Sequence, residues 1–93
     1  MDNYKIIKTK QVDKDLKKHF RSGHKASIKR IEQIFIELTK HPYSGIGNPK
    51  ALKYDLSGYW SREINEKDRL IYQVNDEVIT VSVVSAMGHY DDK

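Results

Sequence analysis

The chain has 93 residues, no cysteine, and a formal charge of +4 from 17 Lys/Arg against 13 Asp/Glu. That length fits one small domain, 1–93, with no room for a separate cofactor domain. The lack of thiols excludes a disulfide scaffold, a cysteine nucleophile and a cysteine-ligated zinc or iron–sulfur centre.

Residues 4–9 are β-branched and aromatic and predict a short first strand, with Thr9 as the cap of a helix. Val12, Leu16 and Phe20 fall at i, i+4 and i+8, the apolar stripe of that helix. Ser22-Gly23 ends it, because glycine accepts the left-handed turn at a helix C-terminus. A second helix is predicted over about 25–40, with Ile28, Ile31, Ile34, Phe35 and Leu38 on one face and Pro42 as its stop. Residues 41–50 carry both prolines and two of the five glycines, and predict a loop.

Beyond the loop the period changes to two. Leu52, Tyr54 and Leu56 alternate with polar residues and predict a strand ending at Ser57-Gly58. Trp60, Arg62 and Ile64 then point one way, and Tyr59, Ser61 and Glu63 the other. Residues 65–68 turn the chain into a strand over 69–74, with Leu70, Tyr72 and Val74 on one side. Asn75-Asp76 turns again, and the β-branched run 78–84 predicts a strand at the sheet centre. A short tail of small and charged residues follows.

The order β-α-α-β-β-β-β predicts an α+β fold: an antiparallel sheet with two helices packed on one face and the other face available to a ligand. No apolar run approaches the roughly 20 residues of a membrane span, and the start of the chain shows no apolar leader. A soluble, cytoplasmic protein without a membrane partner is expected. Charge is distributed unevenly. Residues 1–30 hold ten Lys/Arg and three acids, whereas residues 61–93 hold four and seven. The basic part suits a polyanionic partner, although lysines on a wet helix face also serve solubility alone.

Gly45-Ile-Gly47 lacks a third glycine and joins no strand to a helix, so neither dinucleotide turn nor P-loop is supported. His19, His24 and His41 follow no metal-ligand spacing and are expected on the solvated surface; no metal or cofactor is called for. Lys50, Lys53, Arg62, Arg69, His89 and Tyr90 remain, drawn from a loop, two strands and the tail. Cleavage of RNA by its own 2′-hydroxyl needs a base, an acid for the departing 5′-oxygen, and cations facing the phosphorane. Arg and Lys can supply the cations, and His either proton-transfer role. Trp60, Tyr54, Tyr59 and Tyr72 could stack on bases, but aromatics in half-buried strands more often pack.

Linked segments in the second half carry a resemblance. They read Gly47/Pro49/Leu52-Lys53, then Leu56-Ser57-Gly58/Trp60-Ser61-Arg62, then Arg69-Leu70/Tyr72, and finally His89-Tyr90. Together with the helix pair and the Pro42-Tyr-Ser-Gly45 loop, they resemble the YoeB/Txe family of RelE-like toxins over essentially the whole chain. The resemblance implies the toxin of a type II toxin–antitoxin pair, a compact endoribonuclease that enters the ribosomal A site of the 70S ribosome and cuts mRNA there. It also implies a homodimer silenced by a YefM/Axe-like antitoxin. Position by position, it implies that Arg69 stabilises the phosphate, His89 is the general acid and Tyr90 helps form the site. By the same carry-over Lys53 contacts RNA, and Arg62 is the first of a Trp-Ser-Arg-Arg pair and also binds RNA.

Two positions depart from the family pattern. The expected catalytic glutamate is Lys50, and the second arginine of the pair is Glu63. Alternation places Glu63 on the opposite sheet face from Arg62, which argues against Glu63 as a replacement base. Catalytic participation of Lys50 together with Lys53 is the favoured expectation; a binding module that does not cleave is the alternative. A DNA-binding regulator ranks third, since the helices show no helix-turn-helix pattern.

Overall fold

The computed structural model describes residues 3–88; His89 and Tyr90 lie outside the described residues. The chain runs β1 (Lys5–Lys8), α1 (Lys10–Ser22), α2 (Lys25–Leu38), β2 (Lys50–Ala51), a 3₁₀ turn (Tyr54–Leu56), β3 (Trp60–Glu63), β4 (Arg69–Asn75) and β5 (Thr80–Ser85). Among the described residues no helix is long and apolar enough to cross a membrane.

Helix α1 starts where its cap predicts. Thr9 is extended and its hydroxyl accepts from the Val12 N–H at 3.2 Å, while donating to the Val84 carbonyl at 3.0 Å. One hydroxyl thus satisfies a helix-end donor and ties α1 to β5. Gly23 closes the helix at φ 72°. The buried face of α1 is rotated from the expected stripe. Val12 is buried, but Asp15 and His19 are buried beside it and Phe20 is 52% exposed. Phe20 instead lines an open apolar groove with Leu16, Phe35 and Ile36. In α2, Ile31, Ile34 and Leu38 enter the core as the spacing predicts. The helix stops at Leu38, short of Pro42.

The five strands lie in the order β1-β5-β4-β3-β2. Pairs β2–β3, β3–β4 and β4–β5 are antiparallel, but β1 runs parallel to β5, with Lys5 opposite Thr80 and Ile7 opposite Ser82. The sheet is therefore mixed, not antiparallel throughout. No turn joins β1 to β5; the two helices begin the crossover that parallel pairing requires. Strand β5 is interior, as its composition predicts, and β4 is the middle strand. Leu70 and Tyr72 of β4, Val81 and Val83 of β5, and Ile64 beyond β3 meet the helices in one core.

The segment expected as a strand over 52–56 is mostly a turn. After Ala51 one further cross-strand bond forms, from the Leu52 N–H to the Tyr59 carbonyl at 2.9 Å, and then Tyr54 takes φ 58°, a left-handed conformation that no strand accommodates. Leu52 still reaches the interior, while Tyr54 is exposed.

Candidate functional site

Alternation along β3 separates two arginine environments. Trp60, Arg62 and Ile64 face the helices, and Arg62 is fully buried. Every N–H of its guanidinium is engaged. Nε donates to the Tyr72 hydroxyl at 3.2 Å, and Nη1 to Glu37 Oε1 at 2.5 Å and the Ile46 carbonyl at 3.3 Å. Nη2 donates to the carbonyls of His41 at 2.9 Å and Ser44 at 2.7 Å. Tyr72 donates its own hydroxyl proton to the Pro42 carbonyl at 2.6 Å. Arg62 therefore corrects the sequence expectation: it faces the core, holds the 41–46 loop, and has no donor left for RNA.

The electrostatics follow from that network. Burial pushes the Glu37 carboxyl up, but the Ile46 N–H and the Arg62 guanidinium outweigh it, and the net displacement is downward. Burial raises the Tyr72 phenol, with Arg62 opposing. Gly47 brings the loop against β3 at φ 80°. A Cβ there would stand 2.9 Å from the Glu63 carbonyl oxygen and 3.1 Å from Arg62 Cβ. Glycine is the residue that fits this approach.

The opposite face of the sheet carries the other candidates. Lys50 pairs with Ser61, and Glu63 pairs with Arg69, so side chains of all four positions share this face. Lys50, Lys53 and Glu63 are exposed. Arg69 is half-buried and held through Nη1 alone, which donates to the carbonyls of Asn65 at 3.1 Å and Asp68 at 3.4 Å. Its Nε and Nη2 make no hydrogen bond among the described residues. Two residues further along β4 on the same face, Ile71 floors an open groove of about 370 Å³ with Asp55, Leu56, Tyr59, Val84, Met87 and Gly88. A cation near a groove edged by Tyr59 suits a phosphate with its attached base, seated away from the Asp55 carboxylate.

The chain that leads out of β5 is held firmly up to Gly88. The Ala86 N–H donates to Asp15 Oδ2 at 2.9 Å, and the Ala86 carbonyl lies 2.7 Å from His19 Nε2. The Gly88 N–H donates to Asp68 Oδ1 at 2.9 Å, and its carbonyl accepts from the Arg69 N–H at 3.1 Å. Residue 88 is thereby fixed against Arg69, one peptide bond before His89. His89 and Tyr90 themselves fall outside the described residues. His19, expected at the surface, is a buried anchor, and its partner in that role, Asp15, is one that sequence reasoning misses. Their i, i+4 spacing is the available signal, since it places both polar groups on the Val12 face of α1.

Asp76 is a second such group. It accepts from Tyr4 at 2.5 Å and from Tyr43 at 2.6 Å, tying the start of the chain and the 41–46 loop to the β4–β5 turn. These two hydrogen bonds lower the Asp76 carboxyl. The bond to Asp76, then burial and the nearby negative charge, push the Tyr43 phenol up to about 12. The Tyr43 ring also packs on Trp60 at 5.1 Å between centroids, so this tryptophan is engaged within the fold.

Comparison with known proteins bears on the family and the fold. Residues 9–90 match the family described as "YoeB-like toxin of bacterial type II toxin-antitoxin system". The chain is 38% identical over 72 residues to Toxin YoeB of Streptomyces coelicolor, covering 77% of this chain and 83% of that protein. It is 34% identical over 64 residues to Toxin YoeB of Escherichia coli K12, covering 69% and 76%. The YoeB/ParE toxin from Agrobacterium tumefaciens superposes with a TM-score of 0.81 at 27% identity, covering 92% of this chain and 99% of that one. The Staphylococcus aureus YoeB dimer gives 0.77 at 33% identity over 94% and 98%, and the same organism's heterotetrameric YoeB–YefM complex gives 0.76 over the same shares. Sequence and fold thus agree over nearly the whole length, and the chain belongs to the YoeB-like toxin family of bacterial type II toxin–antitoxin systems.

Proposed function

We propose that this chain, a single domain over 1–93, is a metal-independent endoribonuclease that cuts mRNA in the A site of the 70S ribosome. The observation that carries the reading is Arg69, a guanidinium anchored by one nitrogen with two nitrogens uncommitted among the described residues, beside an open groove and the chain leading to His89. The 2′-hydroxyl attacks the adjacent phosphate. Arg69 stabilises the charge that develops on the phosphorane, and His89 protonates the departing 5′-oxygen. Tyr90 completes the site, Lys50 favours 2′-hydroxyl ionisation by its charge, and Lys53 holds the RNA backbone. Arg62 has no part in this reading.

The first half of the chain would bind the ribosome. Lys14, Lys17, Lys18, Lys25 and Lys29 are all exposed, off the apolar faces of α1 and α2. Each phosphate they neutralise steepens the fall of affinity with salt. A homodimer in the cytoplasm, inhibited by a YefM/Axe-like antitoxin, is part of the same proposal; the S. aureus YoeB dimer and YoeB–YefM complex support it.

Lys50 at the position of the family glutamate favours a second reading, a module that occupies the ribosome without cutting. Primer extension on messenger from expressing cells separates the two. Sharp cuts in register with codons are expected. Stalled but intact messenger would overturn the nuclease and leave the module.

A further inference from the structure

We propose that Glu63 is the general base of this site, the carboxylate having moved from the position of Lys50 to the facing strand. The inference rests on the nuclease reading above. Alternation along β3 separates Glu63 from Arg62, and it is the Arg62 face that is buried against the helices. The face left open is that of Glu63, together with Lys50 and Arg69.

Register makes the juxtaposition close. The Glu63 N–H donates to the Gly47 carbonyl at 2.7 Å, away from β4. Glu63 and Arg69 are thus a pair without mutual backbone hydrogen bonds, the kind whose Cα atoms approach to about 4.5 Å. Lys50, opposite Ser61, is the diagonal neighbour of Glu63, at a separation of roughly 7–8 Å. The Glu63 carboxylate is exposed and makes no hydrogen bond or ion pair among the described residues. Arg30 from α2 and Glu66 from the following turn line a shared depression with Glu63 and Arg69.

In-line displacement sets where a base must stand. The attacking 2′-oxygen and the departing 5′-oxygen lie on opposite sides of phosphorus, so base and acid must flank the phosphate. Arg69 is bordered on its β3 side by Glu63 and on its other side by Gly88, whose carbonyl its N–H holds. In the step, the 2′-oxygen bonds to phosphorus as the P–O5′ bond breaks. Glu63 takes the 2′-hydroxyl proton and His89 gives one to O5′, leaving a 2′,3′-cyclic phosphate and a 5′-hydroxyl.

Single-turnover cleavage of ribosome-bound mRNA by the full chain, followed across pH, tests the assignment. Glu63→Gln is isosteric and exposed, so its melting temperature should match the wild type. Loss of a placed base is expected to slow cleavage by about 10²–10⁴-fold and to remove the acid limb, along which the rate climbs as the carboxylate loses its proton. Glu63→Asp should recover part of the rate and keep the limb. Cleavage by Glu63→Gln at a rate indistinguishable from wild type, or a slow variant whose acid limb persists, overturns Glu63 as base and leaves the nuclease reading standing. Intact mRNA with the wild-type chain on the ribosome overturns both.

Discussion

Arg62 and Arg69 stand on the two strands of one hairpin and have opposite fates. Arg62 is sealed against the helices with every N–H of its guanidinium occupied, whereas the Arg69 side chain is held by one nitrogen and its backbone by Gly88, which lines an open groove. Both sit in a family motif, and motif membership alone assigns both to RNA. The parity of each position along its strand, together with which sheet face the helices cover, decides between a structural and a chemical arginine.

Substitution of Arg62 carries the largest expected effect. Replacing it by methionine fills similar volume but leaves Glu37 and the carbonyls of His41, Ser44 and Ile46 without their donor. Removing one partner of a fully buried ion pair costs about 3–5 kcal/mol, and because the Glu37 side chain is 22% exposed the loss falls toward the lower end of that range. Urea denaturation should report that loss for Arg62→Met, in a protein whose total stability is only about 5–15 kcal/mol. A midpoint within experimental error of wild type would show that the loop does not depend on this guanidinium.

Arg69→Ala is the reciprocal variant. Its lost hydrogen bonds go to two turn carbonyls near solvent, so the melting temperature should barely move. Removal of one preorganised donor from a developing oxyanion costs about 10²–10³-fold in rate. Cleavage of ribosome-bound mRNA should fall by that factor. Equal losses of stability in Arg62→Met and Arg69→Ala would erase the distinction between the two faces.

Much of this separation is legible in the sequence. The stripe Ile31, Ile34, Leu38 and the alternation Leu70, Tyr72 mark the covered faces, because each repeats at the period of its element. The same alternation puts Arg62 with Trp60 and Ile64, two apolar partners, and so points it inward. The family motif leads the other way. What stays hidden is non-local. Asp15 and His19 look like solvated helix positions until Ala86, at the far end of the chain, supplies their partner. Parallel pairing of β1 with β5 leaves no turn signature. Leu52, Tyr54 and Leu56 show three alternating apolar residues, too short a run to exclude the 3₁₀ turn that forms. The motif marks Lys50, Lys53 and Arg69 as candidates, and it sets Glu63 aside because it takes the Arg62 face for the open one.

A smaller effect sharpens the contrast at Glu37. Glu37→Gln keeps the shape and one acceptor but removes the negative charge facing Arg62. Hydrogen bonds to charged groups contribute about 1.5–3 kcal/mol, and a loss near the lower end is expected from denaturant titration. The pH dependence has a definite sign. The folded carboxyl of Glu37 is displaced downward, so its contribution is present above the ordinary glutamate value of about 4.3 and disappears as pH falls through the folded value. Wild type should therefore lose stability across that acid window. Glu37→Gln has no group titrating at this position, so its profile should be flatter and the gap between the two proteins should narrow. A gap that stays constant down to the acid end would show that charge on Glu37 contributes nothing to holding Arg62.

Tyr43 yields the smallest and most specific effect, on the alkaline side. Its phenol donates to Asp76 and its ring packs on Trp60, so Tyr43→Phe keeps the packing and deletes only the hydrogen bond. A loss of roughly 0.5–1.5 kcal/mol near neutrality is the usual worth of such a bond, at the low end here because the pair is exposed and screened. The folded phenol is raised to about 12, above the ordinary value of about 10. Its stabilisation is therefore complete below about pH 10 and declines as pH rises through about 12, where the ionised phenolate repels the Asp76 carboxylate. Difference absorbance of tyrosinate, wild type minus Tyr43→Phe, should show one phenol titrating late. The two proteins should converge in stability across the same interval. A Tyr43 that titrates with the exposed tyrosines would show that the tie from the 41–46 loop to the β4–β5 turn is not held in solution, and that Arg62 fixes that loop without it.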